Sequence, residues 1–253
     1  MQIRLLTSYL ESQQRKCRTQ VGEFPASLIL RRCYFRYLCR EWTGGTIGGN
    51  FALPMNSRIA VLASGEGTNF ESIAQATRNG HLRADVVGLI CNRGKSGALD
   101  RAERLKIPTE VISPKLFSTR EAWDQAMVDQ LRDWQADWVV MAGFLVLIGP
   151  KMLAAFPHRI VNSHPALLPK FGGAGMYGDN VHAAVLKAGE RETGVTIHTI
   201  DAEYDRGKIL AQERVKVLEG DTAATLSDRV KAAEVALYPR VLNDLVTGQI
   251  TTS

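Results

Sequence analysis

The chain has 253 residues, of which 45% are hydrophobic and 23% are charged, as is ordinary for a globular protein. No apolar run approaches the roughly 20 residues that span a bilayer, so the sequence predicts no membrane segment. The net charge of +5 lies in residues 1–56, which hold eight of the 31 Lys and Arg but three of the 26 acidic residues. The other 197 residues carry 23 charges of each sign, which excludes the basic face of a nucleic-acid-binding protein.

Residues 1–56 differ in composition from the rest of the chain. They are rich in Arg, contain three of the four cysteines without C-x-x-C spacing, and end in a glycine-rich stretch. Such a segment is typical of an organelle-targeting peptide. It could also be an upstream extension, with translation starting at Met55, and we favour this second interpretation. We predict an irregular basic extension over 1–56 and one folded domain over 57–253. The single cysteine of that domain, Cys91, fits a reducing compartment, so we expect a cytoplasmic protein.

From Arg58 onwards, predicted strands and helices alternate. Short apolar runs predict buried strands at Arg58–Ala63, Asp85–Cys91, Pro108–Ile112, Asp137–Ala142 and Arg159–His164. Helices are predicted at Phe70–Thr77, Leu99–Leu105, Thr119–Gln135 and Lys151–Ala155. This alternation with short connections predicts an α/β fold with a doubly wound, mostly parallel sheet, whose ligands bind at the carboxyl ends of the strands.

The C-terminal third has a different pattern. Four glycines within residues 171–178 predict a mobile loop that could act as a lid, and a helix at Asp179–Ala188 follows. Strands at Thr193–Ile200 and Ile209–Val217 are predicted to form an antiparallel pair. Asp221-Thr222 is then predicted to cap a long C-terminal helix. No internal repeat and no second domain are evident.

The first predicted strand ends in Ser64-Gly65-Glu66-Gly67-Thr68-Asn69, and a helix follows directly. A strand, a glycine-rich turn and a helix can bind phosphate on the free N–H groups at the helix start. Two glycines could equally form only a tight connection between the strand and the helix. The glycine pattern alone therefore does not establish a phosphate site.

A candidate reactive pair lies at the end of the fifth predicted strand. Asn162 and His164 are two residues apart, so both side chains point to the same face if the strand continues through His164. An amide can bind a developing oxyanion while an imidazole stabilises charge or moves a proton, which suits chemistry at a carbonyl. The structural alternative is a strand end with one satisfied His. Asp205, in an acid-rich turn between the last two strands, could orient the imidazole and stabilise its charged form, or could simply be solvated.

Taken together these motifs resemble a known family. Asn162-x-His164-Pro165 followed by Leu167-Leu168-Pro169, with the later Asp205, resembles the formyltransferases that use 10-formyltetrahydrofolate. The pattern Gly65-x-Gly67-Thr68-Asn69 is similar to the branch that formylates glycinamide ribonucleotide in purine synthesis. The resemblance runs from about Arg58 to Thr247. It implies a Rossmann-like formyltransferase domain, 10-formyltetrahydrofolate as co-substrate, small-molecule substrates and no metal.

The resemblance also implies roles for individual residues. Asn162, His164 and Asp205 would form the catalytic trio. Gly67, Thr68 and Asn69 would bind the phosphate end of the ribonucleotide, and Glu234 its glycinamide or ribose part. The folate side would be formed by Arg120, Leu145, Val146, Leu147, Ile148, Asn162, Asp201, Ala202, Glu203 and Tyr204. Two positions depart from the family pattern, because Val146 stands where Arg is frequent and the loop after Lys170 is longer than in shorter-looped members.

The sequence is also compatible with other functions. A formyltetrahydrofolate deformylase would use the same trio with water as acceptor, and a sugar-nucleotide N-formyltransferase would use another amine. A methionyl-tRNA formyltransferase would be expected to add a C-terminal nucleic-acid domain. A rival from another class is a non-catalytic nucleotide-binding Rossmann protein, which would not need Asn162, His164 and Asp205 together. We expect a monomer or homodimer.

Overall fold

A computed structural model describes residues 56–201 and 205–252. Within these ranges the chain forms one seven-stranded sheet with helices on both faces. The strands are β1 (Ser57–Ala63), β2 (Ala84–Cys91), β3 (Thr109–Val111), β4 (Trp138–Met141), β5 (Ile160–His164), β6 (Glu192–Thr199) and β7 (Ile209–Lys216). The helices are α1 (Thr68–Arg78), α2 (Gly97–Arg104), α3 (Arg120–Asp133), α4 (Pro150–Ala155), α5 (Asp179–Lys187) and α6 (Ala223–Val246), with a 3₁₀ turn at Pro114–Leu116.

The strand order is β3-β2-β1-β4-β5-β6-β7. Strands β1 to β5 are mutually parallel, whereas β6 runs antiparallel to β5 and β7 antiparallel to β6. The predicted doubly wound sheet and antiparallel C-terminal pair are confirmed. Because β1 is central and the chain moves outward from it in both directions, the carboxyl ends of β1 and β4 meet where the strand order reverses, and β5 lies beside them.

The central strand β1 supplies both layers of the core. Ile59, Val61 and Ala63 belong to a buried cluster that includes residues of α1 and α6. The intervening Ala60 and Leu62 belong to a second cluster on the opposite face, which includes residues of α3 and α4. All five are fully buried, as the continuous apolar run predicts for a parallel strand covered on both sides.

Helix α3 is shorter than predicted, whereas the predicted start of α6 is observed. Helix α3 begins at Arg120, because Thr119 is its N-cap and its side chain accepts a hydrogen bond from the Ala122 N–H at 3.1 Å. The predicted cap at Thr222 of the long helix α6 is confirmed, with a reciprocal Thr222–Thr225 capping box.

Pro239 lies inside α6, where it cannot donate to the carbonyl of Val235. That carbonyl instead accepts a hydrogen bond from the Ser72 hydroxyl of α1 at 2.8 Å. This contact ties α1 to α6 at the turn that contains Glu234.

The predicted extension over residues 1–56 lies outside the described residues except for Asn56. All described residues lie within one compact unit, Pro54–Ser253, whose start is close to the predicted boundary. The division into extension and domain stays a prediction. Among the described residues, no helix combines the length and apolar character needed to cross a membrane.

Candidate active site

The candidate site lies where the carboxyl ends of β1, β4 and β5 meet. The Ser64 N–H donates to the Gly143 carbonyl at 3.1 Å, and the Ser64 hydroxyl accepts from the Leu145 N–H at 3.0 Å. The turn after β1 and the loop after β4 are therefore held together at the sheet edge, beside His164 at the end of β5. The sheet topology thus brings together the predicted reactive pair, the glycine-rich turn and the Leu145–Ile148 loop.

The predicted trio is connected through a residue that sequence reasoning did not include. Asn162 Nδ2 lies 3.2 Å from His198 Nε2. His198 Nε2 lies 3.7 Å from Asp205 Oδ1, and His164 Nδ1 lies 3.7 Å from Asp205 Oδ2. The order in space is Asn162, His198, Asp205 and His164, so Asp205 faces two imidazoles.

The tautomer of His198 follows from its partners. Its Nδ1 lies 2.9 Å from the Thr199 carbonyl, which can only accept, so Nδ1 carries the hydrogen. Nε2 then accepts one hydrogen of the Asn162 amide, which fixes the orientation of that amide. The second N–H has no partner among the residues that the structure describes. Burial lowers the pKa of His198, and nearby Asp205 partly opposes that shift, so the neutral acceptor form is favoured.

His164 is buried, with 4% of its surface exposed. Its Nε2 donates to the Phe171 carbonyl at 2.8 Å, since a carbonyl can only accept. The other nitrogen, Nδ1, faces Asp205, and a hydrogen there gives the imidazolium a carboxylate partner. Phe171 begins the glycine-rich loop that the sequence predicts as a lid, so the start of this loop contacts the His164 imidazole.

The position of Asp205 is fixed by an unusual backbone. Asp205 has φ of +53°, a left-handed conformation that Asp tolerates better than most residues. Its Oδ2 accepts from the Gly173 N–H at 2.8 Å, which ties it to the loop after β5. A Cβ at Gly207 would lie 1.7 Å from the Thr199 carbonyl oxygen, so this close approach requires glycine.

Glu234 of α6 faces the same region from the other side of β5. It accepts from the Ser163 hydroxyl, and the Asn69 side chain of α1 is near enough to lower its pKa. Burial raises the pKa of Glu234, and Ser163 and Asn69 partly oppose that shift. Asn69 Oδ1 is buried and has no hydrogen-bond partner within residues 56–201 and 205–252, so it is an acceptor available to a ligand.

The glycine-rich turn leads into α1 without a capping side chain. Gly67, with φ of +76°, is the N-cap, and no side chain of the described residues caps the first N–H groups of the helix. Those groups and the positive end of the helix dipole are available to an anion. A Cβ on Gly67 would lie 2.6 Å from the Ala98 Cα, so the turn can approach α2 only with glycine here.

The loop at Leu145–Ile148 is apolar and partly exposed. Leu145 is 49% and Leu147 44% exposed, whereas Ile148 is buried and Val146 is half-buried. Arg120 donates to the Leu147 carbonyl, and its guanidinium lies 4.9 Å from the ring centre of Trp123. The predicted folate-side residues of this loop and Arg120 are therefore neighbours.

One further side chain fixes this loop. Asp124 is almost fully buried, and its Oδ2 accepts from the Lys151 N–H at 2.8 Å and lies 3.4 Å from the Met152 N–H. Asp124 thus accepts hydrogen bonds from the N–H groups in the first turn of α4, directly after the loop. Sequence reasoning missed Asp124, since an acid on a helix is usually solvated.

The remaining predicted folate-side segment is only partly described. Asp201 is exposed and acts electrostatically on His198, whereas Ala202, Glu203 and Tyr204 lie outside the described residues. Over residues 56–201 and 205–252, no group of three His, Cys, Asp or Glu side chains is placed to hold a metal ion.

Comparison with known proteins identifies the family. A model of the formyl transferase family matches residues 57–242. A chloroplastic phosphoribosylglycinamide formyltransferase of Arabidopsis thaliana is 41% identical over 208 residues, which are 81% of this chain and 70% of that protein. The trifunctional purine biosynthetic protein adenosine-3 of Bos taurus is 38% identical, over 81% of this chain but only 20% of its own length.

Solved structures show the same relationship. The glycinamide ribonucleotide transformylase 1 of Symbiobacterium toebii is 34% identical, with a TM-score of 0.76 and coverage of 83% of this chain and 96% of that chain. The family match covers well over half of the chain and includes every described candidate site residue, and the fold agrees. The resemblance predicted from the motifs is confirmed, and the chain belongs to the formyl transferase family.

Proposed function

We propose that the chain transfers a formyl group from 10-formyltetrahydrofolate to the amine of glycinamide ribonucleotide, as in de novo purine synthesis. The observation that carries this proposal is the cluster of Asn162, His198, Asp205 and His164 at the sheet edge. The uncapped start of α1, with Glu234 nearby, offers a place for a phosphorylated ribose on one side. The apolar Leu145–Ile148 loop offers a place for a pterin on the other.

The reaction begins when the amine nitrogen attacks the formyl carbon. A C–N bond forms and the formyl oxygen becomes an oxyanion, which the free N–H of Asn162 and the imidazolium of His164 stabilise. In this step the formyl oxygen replaces the Phe171 carbonyl as the acceptor for His164 Nε2–H. Asp205 stabilises the positive charge of His164 across 3.7 Å.

Collapse of the intermediate completes the exchange. The bond between the formyl carbon and N10 of the folate breaks, N10 gains a proton, and the former amine loses one, directly or through water. The products are the formylated ribonucleotide and tetrahydrofolate, and the balance needs no oxidant or reductant.

The proposal assigns the remaining residues by position. Gly67, Thr68 and Asn69 bind the phosphate end of the ribonucleotide, and Glu234 binds its ribose or glycinamide part. Arg120, Leu145–Ile148 and Asp201–Tyr204 form the folate side. We further expect a monomer or homodimer in the cytoplasm that acts on small molecules without nucleic acid or membrane.

An absorbance assay of tetrahydrofolate release tests the function. We expect release that depends on glycinamide ribonucleotide. Release with water alone would instead support a deformylase, release only with an amino-sugar nucleotide would support a sugar-nucleotide formyltransferase, and binding without turnover would support a non-catalytic protein.

Substitution of the trio tests the mechanism. Removal of one oxyanion donor typically costs about 3 kcal/mol, or at least about 100-fold in turnover. We therefore expect Asn162→Ala, His164→Ala and Asp205→Ala each to lower kcat by at least about 100-fold, with an unchanged circular dichroism spectrum. Near-normal turnover of His164→Ala would contradict the assigned roles.

A further inference from the structure

The glycine-rich turn that leads into α1 is hydrogen-bonded to residues in the first turns of α2. The Ala98 N–H donates to the Gly65 carbonyl at 3.1 Å, and Arg101 Nε donates to the Glu66 carbonyl at 2.8 Å. Two consecutive carbonyls of the turn therefore point towards α2. In a trans peptide the N–H points opposite to the C=O, so the N–H groups of Glu66 and Gly67 point away from α2.

Arg101 also binds the first turn of α1. Its Nη1 pairs with Glu71 Oε2, and Arg104 Nη2 pairs with Glu71 Oε1 at 2.6 Å. Glu71 is the acidic residue of that first turn, and its side chain is only 15% exposed. An unpaired carboxylate there would repel an anion that binds at the same helix start.

We infer that Arg101 is a positioning residue for the phosphate-binding turn: its guanidinium holds the Glu66 peptide and Glu71 together, and this orients the N–H groups that receive the 5′-phosphate of the ribonucleotide. This inference rests on the proposed function. It assigns to Arg101 a role in phosphate recognition without contact with the phosphate itself.

The two arginines of α2 provide a matched comparison. Arg101 contacts both the turn and Glu71, whereas Arg104 contacts Glu71 alone and is 61% exposed. Both carry the same charge and lie on the same helix. Loss of either removes one positive charge near the turn, but only loss of Arg101 frees the Glu66 peptide.

The test compares two acceptors, glycinamide ribonucleotide and the corresponding nucleoside without the 5′-phosphate. For Arg101→Ala we expect KM for the ribonucleotide to rise by about tenfold, with kcat within about twofold of wild type. We expect kcat/KM for the nucleoside and KM for 10-formyltetrahydrofolate to change by less than about twofold. Arg104→Ala should change all of these constants by less than about twofold, because the Arg104 side chain is mostly exposed and Glu71 keeps its pair with Arg101.

A purely structural role would move different quantities. Equal losses on both acceptors would overturn the inference, because they would indicate general damage to the site. Equal effects of Arg101→Ala and Arg104→Ala on KM would also overturn it, because charge alone would then explain the result. If Arg101→Ala does not fold, Arg101→Lys keeps the charge but not the planar fork, and the same selective rise in KM for the phosphorylated acceptor is expected.

The outcome also separates this inference from the proposed function. If the wild-type protein does not formylate glycinamide ribonucleotide, the proposed function fails. If it does so and prefers the phosphorylated acceptor, but Arg101→Ala retains the whole preference, only the role of Arg101 fails.

Discussion

At the scale of single residues, His198 determines how the Asn162 amide is oriented. The protonated Nδ1 bound to the Thr199 carbonyl makes Nε2 an acceptor, and this acceptor holds one amide hydrogen of Asn162. The amide that we propose to be catalytic is thus oriented by a neighbour that need not contact substrate. Protonation of His198 would remove the acceptor, but its lowered pKa opposes protonation until the solution is more acidic.

We predict that His198→Phe, which keeps volume but has no acceptor, lowers kcat by about tenfold and leaves both KM values within about twofold. The reason is that a misoriented amide stabilises the transition state less but leaves the substrate contacts in place. Steady-state kinetics with both substrates measures this split, and His81→Phe, at an exposed His, is the control. A rise in KM with unchanged kcat would contradict the prediction.

Burial of the Glu234 carboxyl changes the stability of the folded state by an amount that depends on pH. Because burial raises its pKa above the ordinary value of 4.5, the folded state binds the proton more tightly than the unfolded state. The stability that protonated Glu234 contributes is present below the pKa of this group in the unfolded state. It is lost as pH rises through its pKa in the folded state.

We therefore predict that Glu234→Gln is more stable than wild type at neutral pH without ligands, with a difference that shrinks towards acid. Urea unfolding at about pH 5 and about pH 8 gives the two free energies. The exposed Glu219→Gln should follow wild type at both values. A difference for Glu234→Gln that stays constant with pH would contradict the burial argument.

The sequence could predict some site residues but not the contacts between them. Asn162 and His164 are two residues apart on one strand, so a local pattern identifies them. His198 occupies an alternating strand that is indistinguishable from an ordinary half-buried one. The bond between Glu234 and Ser163 spans 71 positions, and the acceptor on Phe171 is a backbone group. Such contacts depend on tertiary packing, which no local pattern encodes.

At the scale of elements, α3 fixes the loop after β4 by two side chains one turn apart. Arg120 binds the Leu147 carbonyl, and Asp124 satisfies the first turn of α4 beyond the loop. Gly149 allows this approach, because a Cβ there would lie 2.2 Å from Asp124 Oδ2.

We predict that Asp124→Ala lowers the free energy of unfolding by about 1 kcal/mol, the usual contribution of a capping side chain. Since the loop would lose its anchor, KM for 10-formyltetrahydrofolate should rise several-fold while KM for the ribonucleotide stays unchanged. Denaturant unfolding and kinetics measure the two effects, with exposed Asp129→Ala on the same helix as control. An equal rise in both KM values would argue against a folate-side role.

Element positions were predictable where burial imposes a period. Helix α3 buries Trp123, Met127 and Leu131 at the predicted spacing, and β1 is a continuous apolar run covered on both faces. The predicted helix ends were less accurate. Trp134, for example, continues the apolar stripe of α3 in sequence but is only its C-cap in the structure. The pairing of β5 with β6 was not predicted, since strand order depends on contacts distant in sequence.

At the scale of the whole molecule, every proposed site residue lies within the family match at residues 57–242. The compact unit at Pro54–Ser253 includes all of them. We therefore predict that a shortened chain that starts at Met55 has the same kcat, KM values and thermal midpoint as the full chain. Parallel assays and calorimetry test this, and a loss of activity with an unchanged midpoint would give residues 1–54 a direct role.

The Pro239 position inside α6 has a consequence for motion across the molecule. Because the Val235 carbonyl is bound by Ser72 rather than by the helix's own backbone, the continuous helix α6 has a weakened turn that divides it into an N-terminal and a C-terminal segment. The segment before Pro239 carries Glu234. Both segments pack into the core, the first with Val230 and Leu237 and the second with Val241 and Leu245. Opening of the first segment need not spread into the second. Amide hydrogen exchange should therefore slow on ribonucleotide binding in the first half of α6 alone, which makes this helix a local reporter of an occupied site.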